Sequence, residues 1–356
     1  MVNARLIPML TLAAATGGCS FELFSDISDL EDEVWVDVSG APSGIQSNNY
    51  PVGLAFAGGS EDGVRILAIG GENTTVTANV YDARGNLEQF DSPSLNDQVV
   101  VGDRAVSIGD PMQRRLAIAH DNGTNLVVSV FDAADNVAQA LDSVELVGHT
   151  GTPSGMTTTM IGELVVAGGN QISLIADATG GNVTTCDDLG GSTGAAVAAD
   201  LDGQGEKLLV MVDQDLQSFS LEAVRACLPG TPVTGDPLTL TAPAGAGAGF
   251  GDQMVTGDFD ADGDDELAVA DPTATADGAG NAGTVFVFEQ SGDSFGDPVL
   301  QLHDFDPESN QQFGRTMTVA KFGDDTNGVD VLVVGTVDEM FTYFRLFEGT
   351  DDPRVR

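Results

Sequence analysis

One short apolar block recurs six times along the chain: LAIGG from Leu67, LAIAH from Leu116, LVVAG from Leu164, LVMVD from Leu209, LAVAD from Leu267 and LVVGT from Leu332. Successive blocks start 49, 48, 45, 58 and 65 residues apart. Neighbouring positions in each block are both apolar, so each segment must be covered on both faces, and its length suits a buried strand. Self-similarity at this spacing makes the chain an array of one repeated unit, in which neighbouring units supply the missing cover.

The surroundings of each block repeat as well. Upstream lies a strand ending in a turn: LAFAGG, AVSIGD, TTTMIG, AAVAADLDG, QMVTGDFDADG and TMTVAKFGDD. Downstream lies a segment of period two: TVTANVYDARGN, LVVSVFDAADN, QISLIADATGG, LQSFSLEA, GTVFVFEQSGD and MFTYFRLFEGTDD. An acid before a Gly or Asn turn closes several of these, at Asp82, Asp132, Asp177 and Glu289, which marks a hairpin turn at a fixed place. A weaker fourth strand follows in QFDSPSL, QALDSVEL, NVTTCDDL, DPLTLTAP and DPVLQLHDF. Four short strands per unit predict an all-β fold: a single β-propeller of about six four-stranded blades over residues 33–350. Seven blades is the alternative, because the two long steps leave room for a degenerate unit.

The sixth unit reaches only its third strand before the chain ends. Glu33-Val34-Trp35-Val36-Asp37-Val38 is an unassigned strand at the other end. It is expected to complete the last blade near Tyr343–Phe347 and to close the ring, which removes an open edge.

Charge excludes several classes of partner. Lys plus Arg is 13 and Asp plus Glu is 55, for a formal net charge of −42. Scattered cations in so acidic a chain argue against nucleic acid and against an anionic membrane surface. Hydrophobic residues at 42% are too many for a disordered acidic chain. Part of the acidity is also what a saline habitat would select.

Residues 1–19 read as an export signal. Arg5 is a positive start, Leu6 to Thr16 is apolar but too short to span a bilayer, and Gly17 and Gly18 precede Cys19. The segment resembles a bacterial lipoprotein signal, which implies lipid on Cys19, an acidic tether over 20–32 and a short tail over 351–356. The expected location is the outer membrane or cell surface, with the periplasm or the medium as alternatives. With Cys19 lipidated, Cys186 and Cys227 remain. In an oxidising compartment they pair as a disulfide or stay as two buried thiols.

One loop carries chemistry. Unit five reads Phe250-Gly251, six residues, then Asp258-Phe259-Asp260-Ala261-Asp262-Gly263-Asp264-Asp265-Glu266. A hard cation takes six to eight oxygens. Asp258, Asp260 and Asp262 offer alternating carboxylates, Gly263 lets the backbone bend, Asp264 offers a carbonyl and Glu266 closes the shell. Val269 stands where an EF-hand needs a bidentate Glu, so this is a calcium loop of another kind.

These residues, with Ala270-Asp271-Pro272 after them, resemble an FG-GAP repeat, the blade of integrin α-subunit propellers and of many bacterial secreted proteins. Phe313-Gly314 repeats the start in unit six. The resemblance implies calcium as the cofactor and an adhesion or ligand-recognition role. Glu266 departs from the family, which usually has Asp there. Unit four keeps Asp200 and Asp202 but has Leu208 at the ninth place, and unit six, with Asp325 and Asn327, lacks the first acid.

His120, His149 and His303 share no spacing, and no nucleophile or phosphate motif is present. The chain is therefore expected not to be an enzyme but a tethered, monomeric module for a protein or glycan ligand. An envelope scaffold and a secreted polysaccharide enzyme are the alternatives.

Overall fold

The structure is a computed structural model. It describes residues 33–36, 53–60, 63–72, 75–82, 87–88, 105–108, 115–121, 126–132, 142–146, 148–149, 152–176, 182–228, 232–260, 263–304, 306–322, 329–337 and 340–343. Cys19, the tether, Asp262 and the tail lie outside the described residues.

The chain is all-β, built as several small antiparallel sheets and not as one closed barrel. Among the described residues there are six four-stranded sheets, one per sequence unit. Unit three pairs Pro153–Thr158, Leu164–Gly168, Gln171–Ile175 and Val183–Cys186 in order. Unit four pairs Thr193–Ala199, Lys207–Val212, Asp215–Ser220 and Asp236–Pro237. Unit five pairs Gln253–Gly257, Glu266–Asp271, Thr284–Phe288 and Leu300–Leu302. In unit six, Thr316–Phe322, Val329–Gly335 and Met340–Tyr343 are joined by Glu33–Val36. That N-terminal strand runs antiparallel to the last one, with Glu33 opposite Tyr343 and Val36 opposite Met340.

The doubly apolar blocks are explained by what lies on each side. Leu208, Val210 and Val212 pack with Val165 and Ala167 of unit three. Leu209 and Met211 of the same strand point the other way, to Leu267 and Val269 of unit five. Ala268 and Ala270 then meet Leu332 and Val334 of unit six. The second strands of units three, four and five are thus each sandwiched between two neighbours, and each such Leu or Val removed from water contributes about 1.5–3 kcal/mol. First strands of successive units also lie side by side. Small residues make that approach possible: a Cβ on Gly155 would stand 2.4 Å from the Ala196 nitrogen and 2.8 Å from its Cβ.

The two long steps hold insertions. After unit four's third strand the sequence pattern predicts continued strand through SLEA, but Leu221–Ala226 is an α-helix begun at Ser220. Leu, Glu, Ala and Arg are good helix formers, and Leu221 and Val224 are buried on one face. The segment expected as the fourth strand, DPLTLTAP, pairs with its own sheet at Asp236–Pro237, and the Leu238 N–H adds a 2.9 Å bond to the Leu216 carbonyl. Thr239 beyond it bonds to Asp293 and Phe295, at a small hairpin of unit five. The 65-residue step contains that hairpin and the turns around Asp277, Asn281 and Asn310.

Candidate metal centre

The loop after Gln253–Gly257 is shaped by alternation of buried and polar residues. Phe259 is 1% exposed and sits in the apolar cluster between units five and six. Its two neighbours, Asp258 and Asp260, are thereby held half-buried at the edge of that seam. Gly263 takes φ +100°, the left-handed region, which lets the loop turn back toward the next strand.

Carboxylate oxygens of Asp258, Asp260 and Glu266 lie within 4.8 Å of one another. Glu266 is buried, and its Oε2 accepts the Phe259 N–H at 2.8 Å. The longer side chain therefore folds back across the loop mouth, which is how Glu is accommodated at the ninth place. Oδ1 of Asp258 is buried without a hydrogen-bond partner. A buried carboxylate oxygen with nothing to accept is costly, and a cation among three carboxylates removes that cost. The residues present thus fit a hard divalent ion. The Asp264 side chain is exposed and lies against Gly203 of unit four, with Oδ1 3.0 Å from where a Cβ would be.

Three residues of this neighbourhood escape a reading by loop position. Asp265 Oδ2 accepts the Asp200 N–H at 2.9 Å, and the Asp265 N–H returns a bond of 3.0 Å to the Asp200 carbonyl. Asp330 Oδ2 accepts the Asp258 N–H at 3.1 Å. Glu206 Oε1 accepts the Met160 N–H at 2.6 Å, and burial raises the Glu206 pKa. In all three an acid at the head of one unit's second strand holds the loop of the unit before it. The repeat period of the acids was the available signal.

Unit four meets its charge differently. Lys207 Nζ donates to Asp202 Oδ2 at 2.9 Å, and this bond holds the Asp202 carboxyl below its ordinary range. Asp200 Oδ1 accepts the Gly205 N–H at 3.0 Å. Lys207 pairs with Ala199 as Glu266 pairs with Gly257, so the two occupy the same place in the ladder.

Cys186 and Cys227 are brought together as a disulfide, Cα to Cα 5.8 Å, 41 residues apart. The helix Leu221–Ala226 makes this possible by carrying the chain of unit four back onto unit three. Arg225 on that helix donates through Nε to both oxygens of Glu163, at 2.9 and 3.0 Å, and through a terminal nitrogen at 2.5 Å. This pairing raises the Arg225 pKa. His149, which shares no spacing with the other histidines, is buried with Nδ1 2.9 Å from Ser173 Oγ, which in turn lies 2.9 Å from Thr185 Oγ1. Burial pulls the His149 pKa down to about 4, against a smaller opposing pull from Asp187.

An FG-GAP repeat family model matches residues 250–288, the segment that contains this loop. The chain is thus an FG-GAP-like β-propeller repeat protein in that part of its length. No curated protein sequence matches the chain. Among solved structures it is similar to a streptogramin B lyase, at TM-score 0.48 and 10% identity, over 87% of this chain and 96% of the other. It is also similar to a catalytically inactive virginiamycin B lyase from Staphylococcus aureus with quinupristin, at TM-score 0.47 and 10% identity, over 87% and 98%. The expectation that the chain is not an enzyme is corrected here, because the structures it resembles are those of enzymes. At that identity and score the likeness assigns no lyase reaction to this chain.

Proposed function

We propose that the protein is an exported, lipid-tethered propeller of six blades that binds calcium at Asp258, Asp260 and Glu266 and presents its loops to a protein or glycan ligand. The observation that carries the reading is that carboxylate oxygens of those three residues lie within 4.8 Å of one another, beside a buried Asp258 Oδ1 that has no hydrogen-bond partner. Asp262 and the Asp264 carbonyl complete the proposed ligand set. The cation supplies positive charge to this acidic loop, and its role is to pin the loop.

Six blades are supported by the six four-stranded sheets among the described residues. Ring closure is supported by the pairing of Glu33–Val36 with Met340–Tyr343 and by the first strand of unit one lying beside that of unit six. A rigid ring that displays loops suits recognition of a ligand. Export and anchoring rest on the first 19 residues, so Cys19→Ala is expected to release the protein into the soluble fraction. The ligand is sought with a glycan array and a pull-down on the full chain, with and without millimolar calcium. Calorimetry that detects no calcium uptake at millimolar concentration rejects the metal site, and calcium-independent capture separates ligand recognition from it.

A further inference from the structure

We propose that Asp330, in the second strand of unit six, is a positioning residue for the metal loop of unit five, so that cation binding is coupled to the seam between the two units. The inference rests on the calcium reading above.

Asp258 is the loop's first acid and the owner of the orphaned oxygen. Its backbone is held from unit six through the 3.1 Å bond from its N–H to Asp330 Oδ2. Asp330 is 5% exposed, so its carboxylate reaches the loop from inside the seam. Gly257 is what admits it: a Cβ there would stand 3.1 Å from both Asp330 Cβ and Oδ2. One residue further on, Phe259 is packed with Leu332 and Val334 of the same strand of unit six. The main chain on both sides of the Asp258 carboxylate is therefore set by unit six and not by unit five alone. A second group that orients a metal ligand typically changes affinity by about 10- to 100-fold when removed.

The molecule contains its own control. Asp265 makes the same kind of clasp, to Asp200 of unit four. There the clasped loop has Lys207 as its cation. Loss of the Asp265 carboxylate should weaken folding as loss of Asp330 does, yet it frees the Asp200 N–H of unit four and not the Asp258 N–H of the metal loop.

The test is calorimetric titration of the full chain with calcium chloride, alongside thermal unfolding in chelator. Asp330→Ala should weaken calcium binding by about 10- to 100-fold. Asp330→Asn, whose amide oxygen can still accept the Asp258 N–H, should retain much of the affinity. Asp265→Ala should lower the melting temperature in chelator but weaken calcium binding less than Asp330→Ala does, because the Asp265 carboxylate clasps Asp200 of unit four and not the metal loop. In the wild type, calcium should slow amide exchange across Val329–Gly335 as well as in the loop. Equal calcium affinity in Asp330→Ala and wild type, equal losses from Asp330→Ala and Asp265→Ala, or exchange across Val329–Gly335 indifferent to calcium would each overturn the coupling while leaving the metal site in place. Absence of uptake by the wild type would remove the site itself and the coupling with it.

Discussion

Units four and five start their second strands from nearly the same loop and solve its charge in opposite ways. Asp200-Leu201-Asp202 in one and Asp258-Phe259-Asp260 in the other each bury the central apolar residue and leave two acids beside it. At the place where the second strand begins, unit four has Lys207 and unit five has Glu266. In unit four an ammonium and two backbone amides answer the carboxylates. In unit five a third carboxylate is added to the two, and one oxygen is buried unanswered. Under the metal site proposed above, this single ladder position sets whether the counter-charge comes from the chain or from solution. Unit four is also fastened to unit three by the Cys186–Cys227 disulfide and by Arg225 on Glu163.

The largest effect is expected from that covalent fastening. Cross-linking residues 41 apart restricts the unfolded chain enough to contribute about 4 kcal/mol. Cys227→Ser should lower stability by an amount of that order, measured by denaturant unfolding in chelator. The calcium-dependent rise in melting temperature should survive. If it disappears together with the disulfide, units four and five do not respond separately.

Next in size is a proton effect on the unit-three side. His149 has a folded pKa of about 4 against an ordinary 6.5, so the folded state binds fewer protons between those values. Its contribution is fully present above pH 6.5 and is lost as pH falls toward 4, for a total of about 3 kcal/mol. Unfolding measured from pH 7.5 to 4.5 should show this slope, and His149→Asn should flatten it. An unchanged slope in that variant would assign the pH dependence to carboxylates elsewhere.

Calcium comes third. A ligand that binds only the folded state adds about 2.7 kcal/mol at a concentration 100 times its dissociation constant. Asp258→Asn and Asp260→Asn should each abolish most of the calcium-dependent rise, whereas Asp202→Asn in unit four should leave it intact. Loss of the rise in Asp202→Asn would mean that the two loops had been assigned the wrong way round.

The repeat was legible because blocks that must be covered on both faces leave no polar side, and Leu209 beside Val210 says so without any structure. The N-terminal strand was legible from an inventory of strands that came out one short at one end. The carboxylate cluster was legible in Asp258, Asp260 and Glu266, whose spacing along nine residues is local. Asp330 was not, because it lies 72 residues from Asp258 and acts across a seam. Nor was the helix at Leu221: period-two alternation in LQSFSLEA continues smoothly into residues whose own preference is helical. Lys207 was hidden by a loop of different length, which shifts the count by one and places Leu208 where the ladder in fact has the lysine.

The smallest expected effect tests the comparison most closely. The side chains of Lys207 and Asp202 are 43% and 34% exposed, so their pairing is a surface ion pair worth about 0.2–1 kcal/mol. Lys207→Ala should lower stability by no more than that, and more at low than at high ionic strength, because salt screens exposed charges. Lys207→Glu goes further: it places a third carboxylate at the ladder position that Glu266 occupies in unit five, and removes the internal cation at the same time. In chelator this variant should be less stable than Lys207→Ala, since the new charge repels Asp200 and Asp202. In millimolar calcium the deficit should shrink, and calorimetry should detect a second binding event absent from the wild type. A Lys207→Glu protein that stays destabilised and takes up no additional calcium would show that the ladder residue does not by itself choose the source of charge. The extra loop residue of unit five, which gives Asp258 and Asp260 room to face Glu266, would then be the deciding difference.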